Sequence, residues 1–220
     1  MIKLDLRNGF FHIPLSQRAQ SLIGIKCGSQ YYSIKRLPQG LSISPFIMQQ
    51  TILAIFKQLL APFNVKFLLY LDDLLVYGSK DDLNKCVPSL FSSSLEFNMN
   101  KCIIISTRKL TYLGIEINLD NETLNLTEAF SKKLKNDLQS VKNKRITLRY
   151  KQRLAGLINF ARPILNLPLQ VVLYAYRWPH KLYKLLHLFH SLPMPFRRFL
   201  DTPPVFTDAT PSQIGLCMPH

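Results

Sequence analysis

Apolar and polar positions divide this chain into short alternating strands and longer helical stretches. IKLDL at 2–6 alternates and reads as a strand. LIGIKC at 22–27 and QYYSI at 30–34 read as two strands turning at Gly28-Ser29. Leu37-Pro38-Gln39-Gly40 marks a turn. Ser44 then offers an N-cap and Pro45 a first helical residue. Phe46, Met48, Ile52, Ile55, Phe56, Leu59 and Leu60 follow at helical spacing, so the pattern predicts a helix over 45–60. Residues 66–77 form a ribbon: four apolar residues precede Leu71, four follow Asp73, and two acids lie between. A helix is predicted from 79 to about 97, then strands over 102–106 and 110–117 with a polar turn near Arg108. Thr127 and Thr147 open helices to about 141 and 161. Pro163 ends the second, Pro168 interrupts the next stretch, and a last helix is expected over 179–191. VFTD at 205–208 resembles a further strand. The pattern is mixed αβ to about 125 and helical beyond.

The 220 residues suffice for one large domain or two small ones, and 47% hydrophobic residues supply a core. The longest apolar runs fall far short of the ~20 residues a membrane span requires, and MIKLDLRNGF carries no signal-peptide pattern. No membrane partner is expected. Cys27, Cys86, Cys102 and Cys217 show no paired spacing. They read as reduced thiols in an intracellular setting, with neither zinc nor disulfides expected. Charge changes the picture more. The net charge is +15, and residues 131–200 hold 15 Lys/Arg against one acid, Asp137. A basic helical half beside a nearly neutral, acid-bearing half points to a polyanion partner.

Two acid sites stand out. Asp5 lies inside the first strand, and Asp72-Asp73 sits between the two runs of the ribbon. Two strands with a short polar tip read as a hairpin, which places the tip acids at one end of a sheet. If the Asp5 strand neighbours it, three carboxylates converge and repel one another unless cations neutralise them. Hard divalent ions such as Mg²⁺ suit such oxygen ligands. Two of them ~4 Å apart activate a hydroxyl and stabilise a leaving pyrophosphate. On spacing alone, Asp72 and Asp73 read equally well as ordinary turn residues.

Four motifs together resemble those of reverse transcriptases. YLDD (70–73) is similar to their YxDD box, and LDLRNGFF (4–11) to their first aspartate motif. LPQGLSISP (37–45) resembles the motif opening their template- and nucleotide-contacting helix, and YLGIEI (112–117) their primer-grip hairpin. The resemblance spans residues 2 to about 210 and implies an α+β right-hand polymerase. Its palm, an antiparallel sheet with helices on one face, would occupy 1–118 with partial fingers near 15–36. A basic helical thumb would follow over 119–200, and a truncated ribonuclease H-like start over 201–220. The implied reaction is two-metal transfer of a dNTP to a primer 3′-hydroxyl. Asp5 and Asp72 would ligate two Mg²⁺ (Mn²⁺ as substitute), Asp73 would complete the triad, and the Leu6 carbonyl would add a ligand.

Phe10 matches the aromatic gate that excludes a ribose 2′-hydroxyl. Gln39 and Gly40 would shape the nucleotide pocket, and Lys101 resembles the lysine that protonates pyrophosphate. Tyr112, Leu113 and Gly114 would hold the primer end. LAGLINFAR (154–162) looks like the small-residue thumb helix, with Ala155 and Gly156 allowing close backbone approach. Lys151, Arg153 and Arg162 would pair with phosphates. RLPQG (36–40) resembles retroviral and foamy virus polymerases, whereas FHIPL (11–15) and VFTDATP (205–211) resemble those of hepadnaviruses, Asp208 matching the first ribonuclease H acid. The partners implied are a primed RNA or DNA template and dNTPs, within a longer polyprotein. The chain then reads as a piece of that polyprotein. A second reading is a catalytically silent remnant that only binds nucleic acid.

Overall fold

Ile2 and Leu4 are fully buried while Lys3 between them is not, the alternation that makes β1 (Ile2–Asp5) a strand with one face to a core. This computed structural model describes residues 1–141, 146–179, 181–182 and 184–185, together with the backbone of 194–195, 206–210 and 213–217. The chain divides into two units, Met1–Leu113 and Gly114–His220.

In the first unit β1 pairs with β5 (Asp73–Gly78), which pairs with β4 (Val65–Tyr70), giving an antiparallel sheet in the order β1-β5-β4. The ribbon is therefore a hairpin with a two-residue tip, Leu71-Asp72. Leu4 lies opposite Leu74 and Ile2 opposite Val76. Phe67 faces Val76, and Leu69 faces Leu74. These six residues share one face and pack against two helices, α2 (Ser44–Leu60) and α3 (Lys80–Phe91). From α2 come Met48, Ile52, Phe56 and Leu60, four residues apart along a single stripe. From α3 come Leu83, Cys86 and Leu90. Phe56 meets Phe67 edge-on at 6.4 Å.

Before α2 lie a short 3-10 turn (Gly9–His12), α1 (Gln17–Leu22) and a hairpin of β2 (Gly24–Cys27) and β3 (Gln30–Ser33) turning at Gly28 (φ 61). All eight hairpin residues are exposed. After α3, the 3-10 turn Met99–Lys101 leads to β6 (Lys109–Tyr112).

In the second unit β7 (Ile115–Asn118), β8 (Thr123–Leu126) and β9 (Met194–Pro195) pair antiparallel. Helices α4 (Glu128–Ser140), α5 (Leu148–Ala161) and α6 (Gln170–Arg177) pack around Leu134, Leu138, Leu154, Ile158, Val171 and Ala175. Thr127 and Thr147 cap α4 and α5 by accepting hydrogen bonds from Phe130 N–H and Tyr150 N–H. At the end, β10 (Phe206–Thr210) and β11 (Gln213–Cys217) pair. Among the described residues no helix is long and apolar enough to cross a membrane.

Several expectations are corrected. The helix expected over 79–97 stops at Phe91, where Ser92, Ser93 and Ser94 offer hydroxyls that compete for the backbone. Ser92 Oγ bonds Pro88 O, and Ser93 Oγ bonds Leu90 O. Residues 102–106 form no strand; only Ile103 bridges, to Lys3. The stretch 110–117 is broken at Leu113-Gly114, both left-handed. Ser44 does not cap α2. It is the first helical residue, and its buried hydroxyl has no partner. Both α1 and α6 were absent from the sequence pattern. The helix expected over 179–191 falls largely outside the described residues.

Candidate active site

The register that buries Leu4 and Leu74 turns Asp5 and Asp73 to the opposite face. They are direct partners across the β1-β5 ladder, and Cβ atoms so paired lie ~5 Å apart. Asp72 occupies the hairpin tip between them in sequence. Its carbonyl accepts the Leu6 N–H at 2.8 Å, which ties the tip to the end of β1. Asp5 is only 6% exposed. Its N–H meets Cys102 Sγ at 3.4 Å, and its carbonyl accepts the Asn98 N–H at 2.8 Å. Two ammonium groups answer the two charges: Lys101 Nζ is 3.4 Å from Asp5 Oδ2, and Lys3 Nζ is 3.5 Å from Asp73 Oδ1.

The tip holds a strained residue. Leu71 is left-handed (φ 53), a conformation costing an L-residue roughly 1–2 kcal/mol. Gln49 of α2 offsets this. Its amide oxygen accepts the Leu71 N–H at 2.6 Å, and its amide nitrogen donates to Leu69 O at 3.0 Å. One helix side chain thus fixes the turn that presents Asp72. Gly9 completes the packing, because a Cβ there would collide with buried Met48 and lie 3.6 Å from the Asp72 Cβ.

Tyr112 of β6 buttresses the hairpin from the acid-bearing side. Its hydroxyl lies within hydrogen-bonding reach of Leu68 O (3.3 Å) and Asp73 O (3.2 Å). Burial, and then the Asp73 carboxylate, push its pKa up to about 12. The folded chain therefore holds this proton more tightly than the unfolded chain does. The resulting stability is fully present below pH ~10 and is lost as pH rises towards 12. Tyr112→Phe should flatten the fall in urea midpoint between those values; an unchanged slope contradicts this.

Most of the other predicted residues surround this end less closely. Phe10 is half-buried in the 3-10 turn and packs against the core. Gln39 and Gly40 (φ 98) lie on the exposed loop before α2. Lys101 is drawn to Asp5. Leu113 (φ 49) and Gly114 (φ 79) form the turn between the units. In the second unit Ala155 is buried in the helical core, but Gly156 faces open space rather than a close neighbour. Arg153 is tied to Asp137 by bonds of 2.8 and 2.9 Å. Arg162 Nε is buried without a partner, and Lys151 is half-buried. Asp208 pairs in register with Gly215 in β10-β11. The sequence pattern missed Gln49 and Lys3; both are ordinary polar residues until the fold brings them to the acids.

The donors at this end are carboxylate and carbonyl oxygens, the set that Mg²⁺ and Mn²⁺ prefer. As placed, no three His, Cys, Asp or Glu side chains among the described residues gather into one metal cluster. Asp5 and Asp73 are instead paired with their lysines. The donor chemistry fits a divalent cation, with the lysines as the groups it must contend with. A cavity of about 570 Å³ lies elsewhere, lined among others by Arg7, His12, Arg36, Ile52 and Glu96 and by none of the three acids.

A three-stranded antiparallel sheet backed by two helices, with acids gathered at one end of it, is the palm of a right-hand nucleic-acid polymerase. Solved structures share the fold. The foamy viral protease–reverse transcriptase in complex with double-stranded DNA superposes at a TM-score of 0.65 and 22% identity, covering 96% of this chain and 46% of that one. The same protein with an RNA/DNA hybrid gives a TM-score of 0.63 at 22% identity, covering 84% of this chain and 27% of that one. The chain belongs to the reverse transcriptase (RNA-dependent DNA polymerase) family, whose model matches residues 1–117. Protein P of heron hepatitis B virus is 28% identical over 168 residues, 74% of this chain and 21% of that protein. The Pro-Pol polyprotein of simian foamy virus type 1 is 31% identical over 166 residues, 72% of this chain and 13% of that protein. The chain thus spans about a fifth or less of these two relatives' length.

Proposed function

We propose that this chain carries the nucleotidyl-transfer site of an RNA-directed DNA polymerase, adding a dNTP to the 3′-hydroxyl of a primed RNA or DNA template. One observation carries the reading: Asp5 stands directly opposite Asp73 at the sheet end whose tip is Asp72. Asp5, Asp72 and the Leu6 carbonyl would hold two Mg²⁺ ions, with Asp73 completing the acid triad beside them. Such ions, when bound, would supply charge to acidify the attacking hydroxyl and to neutralise the departing pyrophosphate.

The chain's own residues do the positioning. Gln49 and Tyr112 hold the hairpin rigid, so the acids are placed before substrate arrives. Lys101, 62% exposed, is free to swing from Asp5 to a pyrophosphate and give it a proton. Tyr112, Leu113 and Gly114 would support the primer end. Gln39 and Gly40 would line the nucleotide. In the basic second unit Lys151, Arg153 and Arg162 would take backbone phosphates, giving binding that weakens steeply with salt. The fold neighbours solved with DNA and an RNA/DNA hybrid support that partner class. A longer polyprotein is the setting that the Pro-Pol relative supports.

The alternative, a silent nucleic-acid binder, draws on the pairing of Asp5 and Asp73 with lysines. It allows binding but no templated extension. Phe10 supplies a test that belongs to the polymerase reading alone. Phe10→Val opens space beside the sugar and should raise ribonucleotide incorporation relative to deoxyribonucleotide at least ~10-fold, about 1.4 kcal/mol of lost discrimination. Single-nucleotide extension assays with paired rNTP and dNTP measure it; unchanged discrimination removes Phe10 from the nucleotide pocket.

A further inference from the structure

Lys3 and Lys101 face the same acids in different ways. Lys3 sits two residues before Asp5 on the same face of β1, opposite Leu75 of β5. Its backbone is pinned on the other edge too. Its N–H donates to Ile103 O at 2.9 Å, and its carbonyl accepts the Ile103 N–H at 2.7 Å. Its side chain is only 20% exposed, and its ammonium is 3.5 Å from Asp73 Oδ1. Lys101 ends an exposed 3-10 turn, and its side chain is 62% exposed. A covered ammonium left without its counter-charge is costly, whereas an exposed pair is weak and exchanges easily with water.

We propose that Lys3 is a positioning residue of the site. Its ammonium permanently holds and compensates Asp73, so cation binding falls to Asp5 and Asp72, and Lys101 is the ammonium that withdraws when a cation enters. This rests on the metal-site reading above. It explains why two like charges stand in direct register without forcing the sheet apart. It also separates the three acids, which sequence spacing alone cannot do. Asp73 keeps a fixed protein cation, and Asp5 a displaceable one.

The test is Mn²⁺ binding to the whole chain, followed by electron paramagnetic resonance of free Mn²⁺. Lys3→Met leaves Asp73 uncompensated and adds one net negative charge to the site, so Mn²⁺ should bind about tenfold more tightly. Lys3→Arg keeps the charge and should match wild type. Lys3→Met combined with Asp73→Asn should return the affinity to the wild-type range. The Mg²⁺ concentration giving half-maximal primer extension should fall in Lys3→Met, a shift that a merely structural lysine does not produce. Equal Mn²⁺ affinity in wild type and Lys3→Met overturns the role of Lys3. Wild-type binding that survives Asp5→Asn and Asp72→Asn overturns the metal site itself, whatever Lys3 does.

Discussion

Asp72→Asn should lower templated nucleotide incorporation by at least ~10³-fold, about 4 kcal/mol of transition-state stabilisation, with the fold intact. Asparagine keeps the shape of aspartate and leaves untouched the tip carbonyl that accepts the Leu6 N–H. What it removes is the charge, and with it a proposed ligand for a divalent cation. Asp72 is half-exposed at a tip held from behind by Gln49, so its neutralisation should move unfolding by no more than ~0.5 kcal/mol. Asp5→Asn should match the loss of rate. Pre-steady-state single-nucleotide kinetics with parallel urea unfolding separate the two quantities. A variant that loses rate only because it is unfolded speaks against the assignment.

The largest expected loss of stability lies behind the sheet. Phe56→Ala removes a fully buried ring that meets Phe67 edge-on and sits among Met48, Ile52 and the β1-β5 leucines. Deleting such a ring costs about 3–5 kcal/mol through lost transfer energy and the cavity left behind. Against a total of ~5–15 kcal/mol this threatens folding outright. Phe46→Ala, on the same helix but 64% exposed, should cost under ~0.5 kcal/mol. Denaturant midpoints for the two variants give the contrast; similar values contradict the placement of the core.

The pairing of Asp5 with Asp73 was legible in sequence because strand period and acid placement agree. IKLDL puts Asp5 on the face opposite Ile2 and Leu4, and YLDD puts its acids at a turn, so a single register decides whether Asp5 meets Asp73. The paired β1 and β5 supply that register. Nothing local announces the partners that hold them. Gln49 reads as one polar residue on an amphipathic helix, and it becomes a clamp only when α2 lies across the β4-β5 turn. Lys3 reads as a solvent-side strand residue until Asp73 arrives beside it. The break at Leu113 was missed because leucine gives no sign of a left-handed backbone, which the fold imposes here (φ 49). The serine run at 92–94 did carry a stop signal, but the apolar spacing around it masked the end of α3. Gly156 was expected to allow close backbone approach, and its face is open in the structure. In the basic unit the charge count was visible, but not that Arg153 is partly engaged by Asp137.

The sheet end built from Asp5, Asp72 and Asp73 is proposed to transfer nucleotides with divalent cations. The most direct measurement of that transfer is extension of a primed RNA template by the whole chain, wild type beside Asp72→Asn, with Mg²⁺ and with a chelator. Extension by wild type that stops on chelation and is lost in Asp72→Asn is the expected result. Extension that proceeds equally in both proteins, or without a divalent cation, contradicts it.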